Sequence, residues 1–221
     1  MSNNKYNLLK EVSLKLIIVS VLFLASTIVF VMLAHEVVLE REDLFDSSVF
    51  NFFKVYSSPQ FIKAMKAITF FGSSYFFVPA YSMLVIYLLA KSRRRDALDV
   101  SIIGIISTIL LHGLKYFFQR NRPDLPLLKT LNNYSFPSGH ALSSFIFCSV
   151  LVFLTWKTKW SISMKWLLSI LLLLFSLSIG ISRIVLRYHF ASDVLAGFCL
   201  GLAFALLSLW AQKKLRRKTA I

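Results

Sequence analysis

The chain has 221 residues, of which 57% are hydrophobic, and 25 lysine and arginine residues against 10 acidic ones give a formal net charge of +15. The mean hydropathy of +0.69 is too high for a soluble domain of this length and predicts several membrane spans. The charge does not indicate nucleic-acid binding, because the basic residues border apolar runs instead of lining one polar face. Cys148 and Cys199 lie inside apolar runs without metal-ligand spacing, so we expect no disulfide between them and no metal bound to them.

Six apolar segments follow one another, each about as long as a membrane-crossing helix. They predict an all-α fold, a six-helix transmembrane bundle, because backbone polar groups in lipid must be paired within helices. We expect a single integral membrane domain over residues 1–221, with spans near residues 14–35, 73–90, 98–119, 138–157, 165–183 and 189–211. The first apolar run is longer than a signal-peptide core and is predicted to be a retained helix; cleavage after Ala34 is the alternative.

The segment between the first two spans opens with an acidic stretch that includes Asp46. From Val49 to Phe71 it becomes aromatic and amphipathic, which predicts an interfacial helix lying in the membrane plane. Gly72 and Ser73 predict the turn into the second span.

Lysine and arginine indicate the orientation, because they favour the cytoplasmic side. With the N-terminus in the cytoplasm, 15 of the 25 basic residues fall on the inside and 10 on the outside. Three of the outside ten, Lys115, Arg122 and Arg183, belong to polar clusters. We therefore expect both termini on the cytoplasmic side of the cell (inner) membrane and the polar clusters at its extracytoplasmic face.

The first polar cluster follows the third span and contains Lys115 and Arg122, two helical turns apart if the helix persists. Arg183 supplies a third cation after the fifth span. Positioned cations stabilise the charge that a phosphoryl transition state spreads over its oxygens, and interfacial snorkelling is the alternative role. The basic residues expected to contact lipid headgroups instead are Arg120, Lys129 and Arg187.

The second cluster, Pro137-Ser138-Gly139-His140, lies directly before the fourth apolar run. Proline suits a helix start, glycine permits close backbone approach, and the free N–H groups of a helix N-terminus bind anions. Ser138 adds a hydroxyl, and His140 is positioned to protonate a leaving oxygen. A simple capping turn would explain the serine and the glycine but not the histidine.

The third cluster contains His189 and Asp193, which share a face if they lie on a helix. An aspartate that accepts the imidazole Nδ1–H leaves Nε2 as a free nucleophile. A polar pair that helps helices pack is the alternative, but ionisable residues at membrane depth are costly and indicate function. We expect structural roles for Asp124, in a salt bridge or turn, and for His112, as a buried histidine.

In chain order these residues read Lys-x6-Arg-Pro, Pro-Ser-Gly-His and Ser-Arg-x5-His-x3-Asp. This pattern, over residues 115–193, resembles the signature of the type-2 phosphatidic acid phosphatase superfamily. The resemblance implies that His189 is the nucleophile that forms a phosphohistidine, that Asp193 orients it, and that His140 is the general acid and then the base. It also implies that no metal or other cofactor is needed. The residues that would hold the phosphate are Lys115, Arg122, Ser138, Gly139 and Arg183.

The resemblance further implies that the substrate is the phosphomonoester or diphosphate headgroup of a membrane lipid. Undecaprenyl diphosphate and phosphatidylglycerol phosphate are favoured, with undecaprenyl diphosphate first, over phosphatidic acid and diacylglycerol diphosphate. A lipid A phosphatase or a phosphotransferase using the same site are the alternatives, and a non-catalytic lipid-binding protein is the least favoured. The oligomeric state is left open, as is the route of lipid access, for which a gap between the second and third spans is one candidate.

Overall fold

The computed structural model describes residues 2–38, 44–123 and 133–218. Within these ranges the chain forms eight helices and no strand, so the predicted all-α fold is confirmed. The helices are α1 (Ser2–Val38), α2 (Leu44–Tyr56), α3 (Pro59–Phe70), α4 (Ser74–Ala90), α5 (Arg94–Phe118), α6 (Gly139–Trp156), α7 (Ile162–Val185) and α8 (Ala191–Lys218).

Five of the described helices, α1 and α5 to α8, are long and apolar enough to cross a membrane. A sixth span is reached when α3 and α4, which meet at a bend of 43°, are taken together as one broken span. Many apolar side chains of α1 between Leu14 and Met32 are exposed, as lipid contact requires. The chain is therefore a multi-pass membrane protein.

The amphipathic segment differs from the single helix predicted from Val49 onward. It is split in two, because α2 ends at Tyr56 and α3 begins at Pro59. Proline has no N–H to continue the hydrogen bonds of α2, yet it suits the first turn of a new helix. Ser58 caps that helix, since its hydroxyl accepts a hydrogen bond from the Phe61 N–H at 3.2 Å.

Packing of α3 on α7 brings the corner between α3 and α4 over the polar end of the bundle. Met65 of α3 lies in a buried cluster with Leu186 and Tyr188, just beyond the end of α7. Gly72, in the corner itself, approaches so closely that a Cβ there would lie 2.6 Å from Ile179 Cγ2. Only glycine permits this contact, and the corner is thereby held against α7.

The main core lies between α4, α5, α6 and α8 and includes buried Leu88, Val100, Leu142 and Ile146. Gly197 of α8 lets the backbone approach α6, since a Cβ there would lie 2.8 Å from the Ser138 carbonyl oxygen. The spans α5 to α8 alternate in direction, so the ends of α5 and α7 lie beside the starts of α6 and α8. The three polar clusters consequently meet at one end of the bundle, as the sequence predicted.

Candidate active site

His189 and Asp193 form a buried pair at the start of α8. His189 lies two residues before the helix, and its Nδ1 is 3.2 Å from Asp193 Oδ2. The same carboxylate oxygen accepts the Phe190 N–H at 3.0 Å, so Asp193 reaches back to cap its own helix. The contact predicted from the four-residue spacing is present, although the backbone at His189 is a turn and not a helix.

Arg122 determines which nitrogen of His189 carries the proton. Its Nη1 lies 3.2 Å from His189 Nε2. Because a guanidinium only donates hydrogen bonds, Nε2 must present its lone pair, and the proton is on Nδ1. Nδ1–H points at Asp193 Oδ2 and at Ser135 Oγ, each 3.2 Å away. In this tautomer the lone pair is on Nε2, beside Arg122, so Nε2 is the atom that can act as a nucleophile.

The surroundings of His189 favour the neutral imidazole. Its side chain is only 2% exposed. Burial, followed by the charges of Arg122, Arg183 and Lys115, lowers the pKa of His189 well below its ordinary value of 6.5. Burial also lowers the pKa of Arg122, against the opposing effect of Asp193, although a guanidinium remains charged at physiological pH.

The three predicted phosphate-binding cations are held by neutral oxygen atoms. Lys115 Nζ donates to the carbonyl oxygen of Tyr134 at 2.6 Å. Arg122 Nη1 donates to the carbonyl oxygen of Tyr188 at 2.5 Å. α5 ends at Phe118, so Arg122 reaches the site from a loop and not two turns further along the helix.

Arg183 comes from the last turn of α7 and is 4% exposed. Its Nη1 donates to Thr69 Oγ1 of α3 at 2.7 Å, and its guanidinium carbon lies 4.2 Å from the centre of the Tyr188 ring. Its Nε is buried and has no hydrogen-bond partner among the described residues. Ser138 Oγ is likewise buried and has no hydrogen-bond partner among the described residues. Buried polar atoms are rarely left unpaired, so Arg183, which lines the cavity, is suited to an anionic ligand.

His140 lies in the first turn of α6 and lines the same cavity as His189 and Arg183. It is close enough to both residues to interact with them electrostatically. A Cβ on Gly72 would lie 2.5 Å from its Cδ2, so the α3–α4 corner packs directly on the imidazole. Gly139, the first residue of α6, also borders the cavity. The structure thus brings together all eight residues that the sequence assigned to the site.

A cavity of about 1440 Å³ extends from this cluster between α4 and α5. It reaches from His189 to Ser101, and Ser101 lies roughly 20 Å from Lys115 along α5 at 1.5 Å per residue. Between α4 and α5 it is lined by apolar side chains, among them Val78, Val85, Ile86, Ile105 and Ile109, interspersed with serines and a threonine. A gap between the second and third spans was one candidate route of lipid access, and the cavity lies there.

His112 lines this cavity one turn from Lys115 and is exposed. The prediction of a buried structural histidine was wrong, because this face of α5 borders the cavity and not a neighbouring helix.

The arrangement matches a known family. The family model of the PAP2 superfamily matches residues 96–217, which include every signature residue of the three clusters. The chain belongs to this superfamily. Among curated relatives, phosphatidylglycerophosphatase B of Bacillus subtilis is 29% identical over 160 residues, which are 72% of this chain and 79% of that protein. Undecaprenyl-diphosphatase of Sulfolobus acidocaldarius is 28% identical over 144 residues, which are 62% of this chain and 64% of that protein.

Solved structures of PAP2 proteins share the fold. The crystal structure of a transmembrane PAP2-type phosphatidylglycerolphosphate phosphatase from Bacillus subtilis aligns with a TM-score of 0.78 and 25% identity, over 87% of this chain and 96% of that one. Aquifex aeolicus LpxE aligns with a TM-score of 0.62 and 27% identity, over 78% and 99%. The predicted superfamily and the predicted enzyme class, a lipid phosphatase, are confirmed.

Three residues that contact PAP2 signature residues (Ser135, Thr69 and Arg120) and one that contacts Arg120 (Asp46) were not predicted as site residues. Ser135 Oγ donates to Asp193 Oδ2 and is completely buried. Thr69 holds Arg183, as described above. Arg120 and Asp46 form ion pairs behind the His189–Asp193 pair. Asp46 and Thr69 lie before residue 96, outside the matched segment, and no local spacing links them to the signature residues.

The prediction that Arg120 contacts lipid headgroups was wrong, because two buried carboxylates hold its guanidinium inside the protein. Arg187, assigned the same role, lies with its guanidinium carbon 5.5 Å from the centre of the Phe50 ring. Lys129 and Asp124 lie outside the described residues. In the described ranges no three His, Cys, Asp or Glu side chains form a group suited to a metal ion. That the reaction needs no metal stays a prediction.

Proposed function

We propose that this PAP2 chain hydrolyses the phosphomonoester or diphosphate headgroup of a membrane lipid through a phosphohistidine intermediate, without a metal ion. The observation that carries the proposal is the environment of His189. Its Nδ1 is 3.2 Å from Asp193 Oδ2, its Nε2 is 3.2 Å from Arg122 Nη1, and the residue lines the cavity together with Lys115, Arg122 and Arg183. A neutral, oriented imidazole next to a concentration of positive charge is suited to attack on an anionic phosphorus centre.

In the first half-reaction, Nε2 of His189 attacks phosphorus while the bond from phosphorus to the lipid oxygen breaks. His140 donates a proton to that oxygen, so the lipid leaves as an alcohol, or as a monophosphate if the substrate is a diphosphate. Asp193 stabilises the positive charge on the attacking imidazole. The residues assigned to the phosphate are Lys115, Arg122, Ser138, Gly139 and Arg183.

In the second half-reaction, His140 removes a proton from water, and the hydroxide oxygen attacks the phosphorus of the phosphohistidine. The bond from phosphorus to Nε2 breaks, inorganic phosphate leaves, and His189 returns to its neutral state. His140 thereby returns to the protonated state that the next turnover requires.

The cavity supports a substrate whose tails stay in the bilayer, because it opens along apolar helix surface between α4 and α5. Phosphatidylglycerol phosphate and undecaprenyl diphosphate are the two proposed substrates. We now put the former first, since the relatives named for it cover more of this chain. The excess of basic residues at the opposite end supports an extracytoplasmic site and cytoplasmic termini in the cell (inner) membrane.

The experiment is a phosphate-release screen of the purified protein in detergent micelles. The panel contains phosphatidylglycerol phosphate, undecaprenyl diphosphate, phosphatidic acid, diacylglycerol diphosphate and lipid A. We expect the highest kcat/KM on one of the first two, inhibition by vanadate, which mimics five-coordinate phosphorus, and full activity in EDTA. No phosphate release from any member would overturn the proposal, and loss of activity in EDTA would overturn its metal-free part.

A phosphotransferase is separated from a hydrolase by adding an acceptor alcohol such as glycerol to the same assay. Hydrolysis predicts that free phosphate accumulates at an unchanged rate. Faster appearance of phosphorylated acceptor than of free phosphate would assign the second half-reaction to the alcohol.

A further inference from the structure

Behind the His189–Asp193 pair lies an ion pair network that bridges α2 and α8. Arg120, two residues beyond the end of α5, is at its centre. Its Nη1 donates to Asp193 Oδ1 at 2.7 Å, and its Nη2 donates to Asp46 Oδ2 at 3.0 Å. Asp46 also accepts the backbone N–H of Ser192 at 2.8 Å and the hydroxyl of Ser192 at 2.6 Å.

The two carboxylates neutralise the charge of Arg120 and accept its hydrogen bonds. The side chain of Asp46 is 4% exposed and that of Asp193 is 0% exposed. Although Arg120 borders the cavity, both of its terminal nitrogens donate to these carboxylates. This distinguishes it from Lys115 and Arg183, whose described acceptors are neutral oxygens. Unlike a phosphate-binding cation, Arg120 therefore already has its charge paired with carboxylates.

The network acts on the catalytic pair through the two oxygens of Asp193. Oδ2 accepts hydrogen bonds from Ser135 Oγ, the Phe190 N–H and His189 Nδ1, whereas Oδ1 accepts one from Arg120 Nη1. Donors on both oxygens fix the plane of the carboxylate, and that plane determines where the imidazole of His189 can point. A buried carboxylate is also costly to keep ionised without a paired cation.

Asp46 holds Arg120 from the other side and binds the first turn of α8 as well. The N-terminus of a helix carries partial positive charge and free N–H groups, so a carboxylate is stabilised there. The contact to Ser192 spans 146 positions of the chain. Through it, α2 determines where α8, and with it Asp193, lies relative to Arg120.

We propose that Asp46 and Arg120 are positioning residues for catalysis, which keep Asp193 ionised and oriented so that His189 presents Nε2 to phosphorus. The proposal rests on the proposed function and deepens it. It assigns a part in catalysis to α2, which lies outside the segment matched by the PAP2 family model.

The test measures kcat and KM of the purified full-length chain with dioctanoyl phosphatidylglycerol phosphate. Arg120→Met and Asp46→Asn should each lower kcat about 10- to 100-fold, as is typical when an outer-shell partner of an active group is removed. KM should change less than about threefold, because neither residue binds the phosphate. Arg120→Lys should lie between Arg120→Met and the unmodified chain, since one ammonium group cannot bridge both carboxylates as a guanidinium does.

Arg187→Met is the matched control. Arg120 lies with its guanidinium carbon 4.1 Å from the centre of the Phe190 ring, and Arg187 likewise lies against Phe50 but does not touch the His189–Asp193 pair. We expect its kcat to stay within about twofold of the unmodified chain. Equal kcat values for Arg120→Met and Arg187→Met would overturn the proposal. A raised KM with unchanged kcat would also overturn it, because Arg120 would then be a phosphate ligand.

A double-mutant cycle separates positioning from a general effect on folding. If Arg120 acts through Asp193, Arg120→Met should cost about 10- to 100-fold in the unmodified chain and less than about threefold in the Asp193→Asn background. Because Asp193→Asn is itself expected to be slow, the rates are measured as phosphohistidine formation in a single turnover. Equal losses in both backgrounds would contradict the proposal. If Arg120→Met does not fold, the cycle is run with Asp46→Asn.

The outcome for His189→Ala keeps the two proposals apart. If that variant retains turnover, the phosphohistidine mechanism fails, whatever the arginine variants do. If it is inactive while Arg120→Met and Asp46→Asn behave like Arg187→Met, only the positioning role fails.

Discussion

Both ends of the bundle contain buried carboxylates paired with cations, but only the site end adds cations whose described hydrogen-bond acceptors are neutral. At the end away from the site, Asp96 of α5 accepts Lys157 Nζ at 2.5 Å and Arg93 Nε at 2.8 Å, so one carboxylate joins the starts and ends of neighbouring helices. At the site end, the carboxylates of Asp46 and Asp193 are held by Arg120.

Three further cations at the site end have no carboxylate among their described partners. The acceptors described for Lys115, Arg122 and Arg183 are carbonyl, amide and hydroxyl oxygens, which orient these cations without neutralising them. The cavity volumes at the two ends also differ: about 1440 Å³ at the site end and about 20 Å³ beside Asp96. Paired charges hold helices together, whereas cations that meet neutral oxygens beside a large cavity are available to an anion.

The largest expected effect is that of His189→Ala. Removing the attacking atom should lower phosphate release at least about 10⁴-fold and abolish phosphohistidine formation, because the remaining groups cannot replace a nucleophile. The measurement is trapping of the labelled phosphoenzyme at acid quench, together with steady-state release. His35→Ala, at the end of α1, is the matched control and should keep full activity. Near-normal turnover of His189→Ala would show that His189 is not the nucleophile.

Arg183→Met should lower kcat about 10²- to 10³-fold, the effect of removing one group that stabilises transition-state charge. Its guanidinium carries the unpaired Nε and lies at the cavity. The measurement is kcat and KM on the best lipid of the screen, with Arg187→Met as the control of equal charge change. A loss no larger than that of Arg187→Met would show that the charge of Arg183 does not stabilise the transition state.

Thr69→Val should have a smaller effect, about tenfold on kcat/KM, because it removes the hydroxyl that accepts Arg183 Nη1 at 2.7 Å. A hydrogen bond to a charged group contributes about 1.5 kcal/mol, which corresponds to this factor. Thr69→Ser retains the hydroxyl and should restore the activity. If the serine variant is as slow as the valine variant, packing of α3 and not the hydrogen bond is responsible.

The pH dependence follows from the burial of His189 and the cations around it, which together lower its pKa well below 6.5. The neutral imidazole is the nucleophile, so its availability should persist as the pH falls through 6.5 and be lost only at the lower pKa. Nitrogen NMR of labelled histidine, assigned with His189→Gln, should report the Nδ1–H tautomer at pH 6.5. A protonation midpoint at or above 6.5 would contradict the expected shift.

The smallest effect on activity is expected at the opposite end. Lys157→Met removes one partner of Asp96, whose side chain is 11% exposed, while Arg93 remains. We expect a loss of stability of about 1 kcal/mol and a lower Tm, with kcat and KM unchanged. Thermal unfolding monitored by circular dichroism and the standard assay provide the two readings. A large fall in kcat with unchanged Tm would mean that this end too contributes to catalysis.

Hydropathy was sufficient to predict where the long apolar helices lie. The spans predicted at residues 98–119 and 138–157 correspond to α5, Arg94–Phe118, and α6, Gly139–Trp156. The reason is that a bilayer imposes both the length and the apolar character of each segment, so every span carries its own signal. The amphipathic segment was less predictable, because its break at Pro59 and its contact with α7 depend on tertiary packing.

By itself, the sequence determined the class of fold, the common end of the three clusters and the residues of the PAP2 signature, since these depend on composition, on the alternation of spans and on local spacing. Only the tertiary structure decided which cations retain their charge for an anion and which are neutralised. Arg120 and Arg122 are two residues apart; the signature assigned Arg122 to the phosphate, but nothing in the sequence indicated the ion pairs of Arg120. One meets Asp46 and Asp193 and the other meets Asn133 and Tyr188, because helices remote in the chain bring those groups to each.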